Sequence, residues 1–213
     1  MIKYLLFTFC SIILGINISN GQNSLGYMAG KYFRSNPYTG DFNSFINHLL
    51  NDPTLKNKQE VKKTDTTLYS FSGTYTTHQP FGFKSNKVNI ALWETSVPLS
   101  DTLSLQDTII NYMVSAYLPN TTANQKIIKK ELTHLLNRNK RYFSSSSHLN
   151  LTDDKKQPNG EGYNMFILMH AMAPVSIAWQ IDEDTKELGM HLLFRISNSS
   201  NKSETPLPLF PSF

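Results

Sequence analysis

Cysteine is all but absent. The single one, Cys10, lies within an N-terminal apolar run. If that run is removed, the rest of the chain has no thiol. Disulfide scaffolds, thiolate zinc sites and cysteine nucleophiles are then excluded together, and stability has to come from packing. Arginine is scarce as well: Arg34, Arg138, Arg141 and Arg195 are the only four against sixteen acidic residues, and the net charge of +4 is mostly diffuse lysine. A nucleic-acid partner is therefore not expected, since it calls for clustered cations. Past the N-terminus no apolar run is long enough to span a bilayer, which takes about 20 residues. Charged residues are few, 17%, while hydrophobic residues make up 39% of the 213 positions. Such a chain can bury enough apolar surface to offset its ordering entropy, and its length suits one domain.

The N-terminus, MIKYLLFTFCSIILGINISNG, has Lys3, then apolar residues from Tyr4 to Ile16, then Ser19 and Gly21 at the −3 and −1 positions of a cleavage site before Gln22. This is the layout of a secretory signal. Cys10 sits too deep in the run for a lipoprotein signal. The expected product is residues 22–213, periplasmic or secreted, and the lysine-, asparagine- and isoleucine-rich composition suggests a bacterial source.

Residues 22–40 read as irregular, because glycines and Asn36-Pro37 punctuate them. A helix follows, with Phe42, Phe45, Ile46, Leu49 and Leu50 on one face, Asp41 at the N-cap and Pro53 as the stop. Residues 54–66 read as a polar link. Alternation predicts strands over 67–76, 87–94 and 108–118. Their inward sets are Tyr69, Phe71 and Tyr75; Val88, Ile90 and Leu92; and Ile110, Tyr112, Val114, Ala116 and Leu118. A second helix starts at Thr121 or Thr122 and buries Ile128, Leu132, Leu135 and Leu136, flanked by Ile127. Residues 144–162 read as a flexible Ser-rich loop. No internal repeat is visible.

The apolar stretch 164–182 is split by Pro174. The favoured layout is a short buried helix over 164–172 and a strand over 175–181; the alternative is one long strand from 163 to 181. A hairpin through DEDTKE, residues 182–187, pairs 175–181 with 188–196 and sets His191 opposite residue 178. His170 then reads as a core histidine, and the hairpin register keeps it away from His191. Residues 198–213 form a polar, proline-containing tail. The expected fold is α+β: one antiparallel sheet of about five strands carrying two main helices and the short buried one. A parallel crossover has room only after the third strand.

Functional motifs are missing throughout. Neither DEDTKE nor LTDDKKQPNGEG has calcium-loop spacing. There is no nucleophile elbow, and Ser176 falls in a buried strand; there is no glycine-rich phosphate loop. No cofactor or metal is expected. A carboxylate pair such as Glu94 with Asp101 or Asp107 would suit a glycan-directed hydrolase. Tyr69, Phe71, Tyr75, Phe81 and Phe83 would form a stacking platform for a small molecule or glycan if exposed. Lys129, Lys130, Arg138 and Arg141 give the second helix a basic surface for an anionic partner. Elimination leaves a non-catalytic protein that binds a partner protein or an envelope component through its surface.

Overall fold

Alternating residues settle most of the architecture. In the computed structural model, which describes residues 25–38, 42–64, 68–98, 106–167 and 174–197, every strand pairs antiparallel. Helix α1 covers 25–32 and α2 Phe42–Asn51. Strands β1 (Leu55–Val61), β2 (Ser70–Tyr75), β3 (Val88–Pro98) and β4 (Gln106–Leu118) follow. Helix α3 (Thr122–Asn139) and a 3₁₀ turn at Lys140–Tyr142 lead to β5 (Ser145–Thr152), β6 (Pro158–Phe166), β7 (Val175–Ile181) and β8 (Leu188–Ser197). The sheet order is β1-β2-β3-β4-β8-β7-β6-β5. Two four-stranded meanders, each preceded by helix, thus meet along β4 and β8.

The sheet has eight strands where the hydrophobic pattern predicts about five. The additional ones are β1, inside the expected polar link, β5, inside the expected Ser-rich loop, and β6, which starts in that loop and runs on to Phe166. Polarity hid them. Edge strand β1 buries only Leu55, and edge strand β5 buries no residue fully. An outer strand needs backbone pairing more than an apolar face, so alternation is weak there. The proposed short helix over 164–172 is overturned at its start. Asn164 and Met165 pair with Ser176 and Val175, so β6 and β7 form a hairpin. The long-strand alternative fails for the same reason. His170 lies outside the described residues, as do Asp41, the signal segment and the C-terminal tail.

Helix α1 occupies part of the segment expected to be irregular. Leu25, Met28, Ala29 and Tyr32 form its buried stripe. Its glycines disguise it, and both sit where the chain folds back. The Asn36 amide donates to the Gly26 carbonyl at 2.9 Å, and a Cβ at Gly26 would touch Tyr38 at 3.4 Å.

The three α-helices of the described residues lie on one face. Phe33, just past α1, stacks on Tyr112 with ring centroids 4.0 Å apart, and Phe45 of α2 meets the same ring edge-on at 5.1 Å. Tyr112 is paired with Phe194 across the β4–β8 seam, so this cluster sits at the centre of the sheet. Helix α3 packs over β7 and β8 and buries Ile128, Leu132 and Leu135. The Thr121 hydroxyl accepts the Asn124 N–H at its N-terminus. The buried Asn139 amide donates to the Tyr32 hydroxyl, tying α3 to α1.

Gly73 shows how tightly β1 is seated on this face. It lies between Phe71 and Tyr75, and Leu55 fills the space above it. A Cβ there would stand 2.8 Å from Leu55 Cγ and Cδ1. Gly73→Ala is expected to lower stability by about 1–3 kcal/mol through overpacking. Urea denaturation measures this, and an unchanged midpoint would mean that Leu55 gives way freely.

Candidate binding face

The pleat that sends the core residues toward the helices sends their neighbours to the other face. Among the described residues no helix covers that side. One cross-strand row runs Thr74, Asn89, Ser115, His191, Ala178, Gly162. The adjacent row runs Ser72, Ala91, Met113, Leu193, Ser176, Asn164. These two rows are mostly small or polar residues, interrupted by His191 in the first and by Met113 and Leu193 in the second.

These groups are cross-linked. Thr74 donates its hydroxyl to the Asn89 side-chain oxygen at 3.1 Å. Ser115 Oγ and His191 Nδ1 are 2.8 Å apart. The Asn111 amide donates to Thr95 Oγ1 at 2.8 Å. Arg195 donates to Ser176 Oγ at 2.7 Å, and Ser176 donates to Asn164 Oδ1 at 2.6 Å. Burial lowers the Arg195 pKa from its usual value. Such a network restricts side-chain rotamers on this face.

Over β1 to β4 the face dips into a trough of about 300 Å³. Its walls and floor include Asn57, Gln59, Ser72, Thr74, Asn89, Ala91, Met113, Ser115 and Tyr117, with Lys87 alongside. The donors and acceptors are amides, hydroxyls and one phenol. Lys87 is the only formal charge among the described residues that line it, and its ammonium stands 5.8 Å from the Tyr117 ring centroid. Burial raises the Tyr117 phenol pKa while Ser115 and Asn89, hydrogen-bonded to it, pull the other way.

The Ser115–His191 pair has the composition of a nucleophile and base. Its setting argues for structure instead. Ser115 is 1% exposed. The imidazole lies over Gly189, where a Cβ would come 2.6 Å from Nε2. That Nε2 is buried and has no hydrogen-bond partner among the described residues. Burial pushes the His191 pKa down to about 4, against a weaker upward pull from Asp182. The ring is thus neutral at pH 7, and it faces Ala178 as the hairpin arithmetic expects.

The residues expected to form binding surfaces are placed elsewhere. Phe71, Tyr75 and Phe81 are core residues with exposures of 2%, 1% and 7%, and Tyr69 and Phe83 are partly buried against the core. No exposed aromatic platform forms from this set. The basic positions on and after α3 are exposed, but three of them engage rings. Lys129 lies over Trp179, Arg138 over Tyr32 and Arg141 over Tyr142. Lys130 is exposed on the same helix.

Among the acids, Glu94, Glu131 and Asp182 have partners. Glu94 is buried, bridges to Lys63 at 3.1 Å and accepts the Tyr69 N–H. Asp107 joins β4 through its backbone opposite Val97, and Asp101 lies outside the described residues. Glu131 accepts the Gly82 N–H at 3.0 Å and pins the 79–85 loop to α3. Asp182 closes its turn by accepting from Thr185 and Asp184, which lowers its pKa. No group of three or more His, Cys, Asp or Glu able to hold a metal occurs among the described residues. No described helix is long and apolar enough to cross a membrane.

Comparison with protein-family models, with curated proteins and with solved structures finds no match.

Proposed function

We propose that this chain is a non-catalytic binding protein, periplasmic or secreted, that holds an uncharged polar envelope component in the trough of its open sheet face. The ligand class that fits best is a glycan segment. The supporting observation is the donor set: amides, hydroxyls and a tyrosine around a concavity of about 300 Å³, with one lysine as the sole formal charge. Sugars present hydroxyl arrays that pair with amides and hydroxyls. A volume at the small end of ligand sites suits one or two rings. An anionic or cationic partner would find little to pair with there. The secretory layout of residues 1–21 supports the compartment, and the Thr74–Asn89 and Ser115–His191 bonds at the trough support a preformed site.

The test is calorimetric titration with soluble envelope glycan fragments. Ala91→Arg places a long side chain on the trough floor while leaving the core face untouched. Wild type should bind with weak salt dependence, and Ala91→Arg should lose at least about tenfold in affinity, worth about 1.4 kcal/mol. Equal binding by both proteins would move the site off the trough.

A further inference from the structure

The two edges of the sheet differ in how they are protected. Strand β1 carries Lys56 and Lys58, its register with β2 shifts between Lys56 and Gln59, and Asn57 within the bulge has φ 51°. Charge and a bulge in the middle of a strand are the usual guards against a further strand. Strand β5, SSSHLNLT, has neither. It contains no lysine, acid or proline, and six of its eight residues are exposed. Its register with β6 is regular from Ser145 opposite Phe166 to Leu151 opposite Gly160 and shifts only at the end of the strand, between Leu151 and Thr152. Among the described residues no strand pairs with the outer side of β5, so its outward N–H and C=O groups form an uncharged edge.

We propose that β5 is an interaction surface for a second copy of this chain, joined antiparallel to its own β5 across a two-fold axis to make one continuous sheet. Self-pairing of β5 confronts no like formal charges at any register, because the strand has none. Self-pairing of β1 would bring lysines together. An axis through Leu149 sets the leucine of each copy against that of the other and Ser147 opposite the partner's Leu151, all on the open face; His148 meets the partner's Asn150 on the helix face. Apolar cross-strand contact at the axis favours this register. The interface is one strand wide, so the dimer is weak and concentration-dependent. It lies at the opposite edge of the sheet from β1 and does not depend on the ligand trough.

Sedimentation velocity on the full chain from about 1 to about 300 μM tests this, a range chosen for a small interface. Wild type should pass from monomer to dimer. Leu149→Lys puts two ammonium groups at the axis and should weaken the dimer at least about tenfold, as should Leu149→Glu. Circular dichroism verifies that each variant is folded. An equimolar mixture of the two should associate again, because the axis then joins opposite charges. A wild type that stays monomeric throughout, or a Leu149→Lys dimer as stable as wild type, overturns the proposal.

Discussion

Tyr112→Ala is expected to remove about 3–5 kcal/mol of stability, enough to unfold a marginal domain. The tyrosine is fully buried at the centre of the sheet. It touches Phe33, which follows α1, and Phe45 of α2, and it pairs with Phe194 on β8. One truncation thus opens a cavity where both N-terminal helices meet the seam between the two meanders. Tyr112→Phe should behave in the opposite way. The phenol is buried, and among the described residues its hydroxyl has no hydrogen-bond partner. Removing that oxygen should be neutral or stabilise by about 1 kcal/mol, because no bond is lost and a desolvation cost is relieved. Urea denaturation of the two variants separates shape from polarity at this position. A small effect of Tyr112→Ala would mean that the helices are anchored elsewhere.

The second large effect is a loss of stability in acid that traces to His191. Burial holds its folded-state pKa near 4, below the ordinary value of 6.5. Above pH 6.5 the ring is neutral in both folded and unfolded chains, and its protonation does not change stability. As pH falls from 6.5 toward 4 the unfolded chain takes up a proton that the folded chain refuses, so stability drops. Below about 4 both states are protonated and this contribution levels off. The full loss is about 3 kcal/mol. His191→Gln should flatten the stability profile across that window. Asp52 and Asp182 act lower on the pH scale, because their folded pKa values lie below 3.8. For Asp52 burial works upward, but hydrogen bonds from Thr54 and Tyr75 and the charge of Arg34 more than offset it. Denaturation midpoints of both proteins between about pH 7.5 and 4 measure the effect. A His191→Gln profile as steep as wild type would assign the acid sensitivity to other groups.

Strongly periodic segments could be read from sequence alone. The inward sets of β2, β3 and β4 follow the alternation of Phe71, Ile90 and Tyr112 with polar neighbours, and Thr121 caps α3 where the sequence places a cap. Even the pairing of Ala178 with His191 follows from centring the hairpin on DEDTKE. Elements whose stability comes from pairing or from close backbone approach were not legible. Strands β1 and β5 are edge strands with almost no buried side chains. Strand β6 carries Gly160 and Gly162, whose absent Cβ atoms make room for the backbone of β7. The glycines of α1 masked a regular stripe in the same way.

The candidate site was only half legible. Asn89, Ser115 and Tyr117 stand out as the polar alternates of predicted strands. That they converge on a trough with Asn57 and Gln59 depends on β1, the strand least visible in the pattern. The aromatics of 69–83 looked like a platform because an aromatic-rich strand reads the same whether its ring face is covered or exposed. Packing of α1 and α2 on that side made it the core.

The most direct test of the trough as the binding surface is a backbone-amide NMR titration with a neutral envelope glycan fragment. Chemical-shift changes should concentrate on 57–59, 72–74, 87–91 and 113–117, leaving α3 and β5 unmoved. Changes centred on the basic surface of α3 around Lys129 and Lys130, or no changes at saturating glycan, would contradict it.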